Sequence, residues 1–417
     1  MRVRSTLSCG CLAAVLVTPV PALADPASGE AAVVLDEGRA KQKVALYDDA
    51  AARYETFARM SPTADEAPQA LQDAVVLRLG LGQIELASKD AELFARVHGS
   101  AHPERAARVS LAVGTTLLEK EDWAAARKPL QAWVVAFDGH APLDARIVAH
   151  AGLARALVKL RAPGARPQAD YGVVRDLWKD PLAAVASVRA ASPPGEEDRH
   201  LARAITGVGE ALFYFAEQKR NEADKIRMPA FRGRSNRDEI LRFVSTQVPV
   251  WVREKRSAIE AAEQEYLKVV EIQPVPPPRW VVASASRVGA LWGKFVAEFR
   301  AAPVPREWRQ HTIVPGTTIT YDELRNIYYG ALDSATEPLL ARATAAFKTC
   351  ANYAVKYQFE SEYTRRCFDW LEKHHTAHYL RIDELVPQPV WLGAASTPPS
   401  DPDRSPRERE RMALMGF

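Results

Sequence analysis

Residues 114–133 read GTTLLEKEDWAAARKPLQAW, and the spacing within this stretch sets the fold. Gly114 and Ala126 are small residues placed either side of Glu121-Asp122-Trp123, with Leu117, Leu130 and Trp133 as the larger apolar groups. A small side chain at Ala126 lets the two helices of a hairpin cross closely, while aromatics plug the gap to the next hairpin. One such hairpin cannot bury its apolar face alone, so copies stack into a curved array with a concave groove.

Weaker copies precede it. Glu66–Gly99 carries Leu71, Gly82, Ile84, Ala87 and Phe94, with Val75 where Gly114 stands in the stronger copy. Further upstream, Tyr47, Ala50, Tyr54 and Pro62 match the second-helix half, with Phe57 at a position expected to be small. Ala50, Ala87 and Ala126 lie 37 and 39 residues apart. These residues resemble the tetratricopeptide repeat family, whose standard period is about 34 residues, and longer inter-helix loops account for the excess. A degenerate fourth unit is expected over Pro142–Trp178.

Alanine-rich stretches with a period near 3.6 recur throughout, and almost nothing reads as a strand. The expected fold is all-α: a helical-hairpin solenoid over 25–190, a breaker at Ser192-Pro193-Pro194-Gly195, then a long-helix domain over 196–390. Its helices should run near Asp198–Arg227, Asn236–Ile272, Pro278–Arg300, Tyr321–Tyr357 and Ser361–His375. Ala285, Gly289 and Gly293 form a small-residue stripe along which another helix can approach. Residues 391–417, rich in Pro, Ser, Asp and Arg, are expected to form a disordered tail.

Arg2 and Arg4, the apolar run Leu12–Val17 and Ala22-Leu23-Ala24 have the pattern of an export signal over 1–24, cut after Ala24. Cys9 and Cys11 lack the lead-in of a lipoprotein. No later stretch reaches the ~20 apolar residues needed to cross a bilayer, so the product is expected in the periplasm or medium without a membrane span. Of 55 Lys and Arg, two precede the cut, leaving 53 against 52 Asp and Glu. That balance argues against a nucleic-acid partner. Only Cys350 and Cys367 remain beyond Ala24. They are equidistant from a turn between Gln358 and Phe359, so an antiparallel hairpin sets them opposite each other, where an oxidising compartment favours a disulfide.

No G-x-S-x-G elbow, P-loop, dinucleotide glycine motif or H-E-x-x-H occurs, so no catalytic residue, cofactor or metal is expected. His374, His375 and His378 are the best metal candidates, but histidines at a helix C-terminus more often serve its dipole and carbonyls. The run Lys219, Arg220, Lys225, Arg227, Arg232, Arg234 and Arg237 could meet an anionic envelope polymer, although Glu222 and Asp224 suit a solvated helix end better. The repeat frame puts Gln69, Gln72, Val76, Arg108, Leu111 and Thr115 on the concave side. The Lys/Asn pair of the family's carboxylate-clamp members is absent there, so acidic chaperone tails are not implied.

From Glu210 to Leu385 the chain is also similar to exported tetratricopeptide proteins of gliding deltaproteobacteria, through Ala211–Glu217, Ala261–Tyr266, Pro276–Trp280, Ala302–Pro305, the Cys350/Cys367 pair and Ile382–Leu385. The resemblance implies a place in a motility or secretion assembly. The leading expectation is a noncatalytic scaffold gripping a protein partner, a peptide or a helix, in its groove. The alternatives are an envelope component acting through its C-terminal half, and a cell-wall-associated enzyme on a helical superstructure. The enzyme needs a carboxyl raised in pKa within a cleft, and spacing nominates none.

Overall fold

The structure, a computed structural model, describes residues 26–161, 163–233 and 237–374. The export signal, the tail, His375, His378, Arg234 and the Ile382–Leu385 stretch lie outside the described residues. The fold is all-α. Two compact units divide between Val113 and Gly114.

The first unit comprises α1 (Pro26–Lys43), α2 (Tyr47–Met60), α3 (Ala67–Gly80), α4 (Ile84–His98) and the start of α5 (Pro103–Glu119), each of the first four packed on its neighbour in sequence. Its core is made largely of small residues, Ala31, Ala50, Ala51, Ala67, Ala70 and Ala74, plugged by Tyr54 and Phe57. Small side chains let helix axes approach, and the two rings fill what remains.

The second unit holds the rest of α5, α6 (Trp123–Phe137), α7 (Leu143–Leu160), α8 (Pro167–Leu177), α9 (Pro181–Ala190) and the 29-residue α10 (Glu197–Lys225). Then follow α11 (Arg237–Thr246), α12 (Val248–Val270), α13 (Pro278–Arg300), α14 (Tyr321–Lys356) and α15 (Glu362–His374). One buried cluster runs from Ile147 to Ala343. The boundary expected at 190–196 therefore does not divide the packing. Ser192–Gly195 turns the chain, but Val188 before it and Leu201 after it lie in the same core. A breaker marks a change of direction and says nothing of which side chains are buried together.

The single helix expected over Asn236–Ile272 is two. Pro249 supplies no N–H and its ring crowds the carbonyl four residues back, at Ser245, whereas a proline is tolerated in the first turn of a helix, so α11 ends at Thr246 and α12 starts afresh with Pro249 in its first turn. The small-residue stripe of α13 is a packing device: a Cβ on Gly289 would lie 2.8 Å from the Phe347 ring of α14. Cys350 of α14 and Cys367 of α15 lie at disulfide distance, with Sγ–Sγ 2.05 Å and Cα–Cα 6.4 Å. The turn between them has Gln358 in the left-handed region, with Phe359 N–H bonded to Ala354 O at 2.9 Å and Gln358 N–H to Val355 O at 3.2 Å. This double closure satisfies the last carbonyls of α14 and reverses the chain.

The same turn closes three earlier hairpins. Ala45, Gly82 and Glu121 are left-handed (φ 63°, 78° and 58°), and each is followed by an N–H bonded five residues back: Leu46 to Lys41, Gln83 to Arg78, Asp122 to Leu117. Counting from these residues, the hairpins superpose in register. Seven before stand Gly38, Val75 and Gly114; five after, Ala50, Ala87 and Ala126; nine after, Tyr54, Ala91 and Leu130. The three alanines five after the turn are wholly buried. A Cβ on Gly38 would meet the Tyr54 ring at 2.8 Å, and one on Gly114 would meet Leu130 at 2.6 Å. In the middle hairpin the sizes are exchanged, with Val75 on the first helix and Ala91 on the second.

Candidate functional site

The first helices of the hairpins carry the residues expected to line a groove. On α3, Gln69 and Val76 are exposed and Gln72 is half-buried. Gln69 donates to Asp73 at 2.7 Å. Arg105, on α5 and one turn before the expected Arg108, joins these groups: its Nε donates to Gln72 Oε1 at 2.5 Å and its Nη2 donates to Gln69 Oε1. The same guanidinium lies 5.9 Å from the centre of the Phe94 ring. Burial pushes the Asp73 carboxyl above the ordinary range, against the opposing Gln69 bond and the charges of Arg105 and Arg39. Arg108 is half-buried, as is Thr115 in the second unit. Leu111 is a correction, because it is buried at 7% exposure and offers a partner no open surface. Leu111 lies six positions past Arg105, about 120° round the helix from it at 3.6 residues per turn, and so turns from the polar row toward the core.

Of the seven residues expected to pack the repeats, five are buried. Ala50, Tyr54, Ala87, Gly114 and Ala126 are buried, while Tyr47 is 43% exposed. Tyr47, Ile84 and Trp123 occupy the same place two residues after the left-handed turn, at the mouth of the hairpin, and the latter two are only half-buried. Lys159 covers Trp123 at 5.6 Å from the ring centre. A further consistent position lies twelve residues after the turn, where Phe57, expected to be small, is a buried aromatic like Phe94 and Trp133.

Beneath the first unit's surface lies an unexpected carboxyl pair. Arg78 Nε donates to Glu55 Oε1 at 2.7 Å, and its Nη1 also serves Asp48 and Gln83. Asp90, buried at 4% exposure, has an oxygen with no hydrogen-bond partner. Burial, then the neighbouring Glu55, pushes its carboxyl up to about 7.

In the second unit, His150 is gripped from both sides, Nδ1 by Asp170 at 2.8 Å and Nε2 by Asp138 at 3.1 Å. Burial lowers the imidazole's pKa, but the two carboxylates outweigh it and hold it above the ordinary value. Nearby in sequence, Arg155 and Tyr171 both donate to buried Glu210. The basic run is partly self-neutralised: Lys219 pairs with Glu222 at 2.9 Å, and Arg220 with Glu217 at 3.0 Å and Asp224 at 2.7 Å. His374 lies with Nδ1 3.2 Å from Trp370 O, one turn back along the helix. Among the described residues no cluster of His, Cys, Asp and Glu fits a metal ion, and no helix is long and apolar enough to cross a membrane. No family model and no curated protein matches this chain.

Proposed function

We propose that this chain is an exported, noncatalytic scaffold whose tetratricopeptide-like hairpins hold a protein partner in the cell envelope, in the kind of motility or secretion assembly that its C-terminal resemblance implies. The observation that carries the reading is the turn register: left-handed residues at 45, 82 and 121 with a wholly buried alanine five residues after each. Repeating one hairpin geometry presents the first helices as equivalent elements, the arrangement such arrays use to grip an extended peptide or helix. Gln69, Gln72, Val76 and Arg105 supply that face with hydrogen-bonding groups around an exposed valine. The Cys350–Cys367 pair suits an oxidising compartment, periplasmic or extracellular. Photo-crosslinking residues placed at 69 and 76 in the native cell should trap one discrete protein, whereas the same probe at exposed Val97 on α4 should not. Equal trapping from all three positions would remove this reading.

A second reading, a cell-wall-associated enzyme, has one observation in its favour. A carboxyl near neutrality beside another carboxyl is the pairing used in glycoside hydrolysis, and Asp90 with Glu55 is such a pair. Release of reducing ends from purified peptidoglycan, lost in Asp90→Asn, would carry it; no release by the full chain ends it.

A further inference from the structure

Helices α13, α14 and α15 enclose a cavity of about 330 Å³, within the range of small-ligand sites. Three cations, Arg287, Lys294 and Arg366, stand in its wall, and no carboxylate does. Each cation has an acidic partner: Arg287 Nε meets Glu217 at 3.1 Å, Lys294 meets Asp224 at 2.7 Å, and Arg366 meets Glu362 at 3.3 Å. A guanidinium carries five N–H groups and an ammonium three, so each keeps donors beyond that contact.

The apolar part of the wall is equally specific. Trp370 stacks with Phe347 at 4.5 Å and with His374 at 4.4 Å, which leaves the indole its N–H edge to present. A Cβ on Gly293 would stand 3.4 Å from Trp370 Nε1, so the absence of a side chain there keeps that edge open. At Gly289, one turn earlier, Phe347 fills the equivalent space. The small-residue stripe is thus packed at one end and hollow at the other.

We infer that this cavity binds a small organic anion bearing an apolar ring, a site separate from the first-helix surface and independent of the scaffold reading. Its oxyanion takes hydrogen bonds from Arg366, Lys294 and the Trp370 indole N–H, and its ring lies over Gly293 beside Phe347. Charge-assisted bonds to an oxyanion are the strong kind, and desolvation in a half-enclosed cavity strengthens them.

Isothermal titration of the full chain with phenyl phosphate tests this, with inorganic phosphate and benzyl alcohol as the half-ligands. One-site binding is expected, weakened about tenfold or more by Arg366→Gln, since one charged hydrogen bond is worth about that factor. Gly293→Val should abolish it, and each half-ligand should bind at least about tenfold more weakly than phenyl phosphate. The Arg366 side chain is 56% exposed, so that variant keeps its fold, and an unchanged circular-dichroism melt verifies it. The inference is overturned by absent phenyl phosphate binding, by binding unchanged in Arg366→Gln, or by inorganic phosphate binding as tightly.

Discussion

Lys255 shows how much a single side chain can hold at the residue scale. It lies on the apolar stripe of α12 with Trp251, Ile259, Ala262 and Tyr266, and is 1% exposed. Its Nζ donates to Ala223 O at 3.0 Å, in the last turn of α10, and to Ile226 O at 2.9 Å, just past its end, and pairs with Glu298 at 3.3 Å. A buried ammonium is tolerated because these partners replace its water, and removing it strands them. Lys255→Met is expected to cost about 3 kcal/mol, read as a lower urea midpoint; an unchanged midpoint removes the argument. The left-handed turns give a prediction of opposite sign. Ala45 and Glu121 hold a conformation that costs non-glycine residues about 1 kcal/mol, so Ala45→Gly and Glu121→Gly should each raise stability by about 0.5 kcal/mol after the entropic cost of glycine. Gly82→Ala should lower it by about 1 kcal/mol.

At the scale of elements, the register separates what is fixed from what varies. The stretch from seven residues before the turn to twelve after is constant in all three hairpins, whereas Phe57 to Val75 spans 18 residues and Phe94 to Gly114 spans 20. Length variation therefore belongs to the connections between hairpins. Two residues inserted after Thr63 should shift the melting temperature by less than about 2 °C, and the same insertion after Ala45 should unfold the hairpin, because it breaks the backbone closure at Lys41. Equal effects from the two insertions would contradict the register. The α14–α15 hairpin is fastened covalently across 17 residues, so replacing Cys350 and Cys367 by serine should cost about 3 kcal/mol, matched by adding reductant to the parent.

Helix identity and the hairpin period were legible because alanine spacing and turn-flanking residues are local signals, and Pro278–Arg300 and the Cys350/Cys367 pairing could be read from them. The aromatics at Phe57, Phe94 and Trp133 were equally visible, but the repeat frame expects a small residue at Phe57, so the three did not read as one position. Lys255 was hidden because a charge on an apolar stripe is recognised as buried only when its distant carbonyl partners are known. Arg105 escaped because its two glutamine partners lie more than 30 residues away. The continuous core around Ser192–Gly195 depends on three-dimensional packing alone.

At the scale of the molecule, the titrating groups set an optimum pH. Asp90 binds its proton more tightly folded than unfolded, so its contribution is present at low pH and lost as pH rises from about 4 to about 7. His150, also raised, contributes fully below the unfolded imidazole pKa of about 6.5 and loses this as pH rises through its folded value. Asp138 and Asp224 act in the other direction. For both, burial raises the pKa, but Arg146 and His150 around Asp138, and Lys294 and Arg220 around Asp224, lower it further than burial lifts it. Their stabilisation is lost as pH falls below about 4. Melting temperature should therefore peak in the mildly acidic range and fall toward pH 8. Asp90→Asn should flatten the descent between pH 5 and pH 7 and add on the order of 2–4 kcal/mol at pH 8. A parent curve rising from pH 5 to pH 8 would refute this account.

Helix α14 has no buried side chain before Thr336, while α13 ends at Arg300, which bonds Thr336 at 3.2 Å and Asp333 at 2.8 Å. Some 15 residues, about 22 Å of helix, thus overhang that junction, braced by Trp308 against Tyr328. The overhang is a cantilever. A sideways load at its tip gains leverage with distance, so a push at Tyr321 reaches the Arg300–Asp333 joint as torque, and the joint's stiffness governs how far the tip can swing.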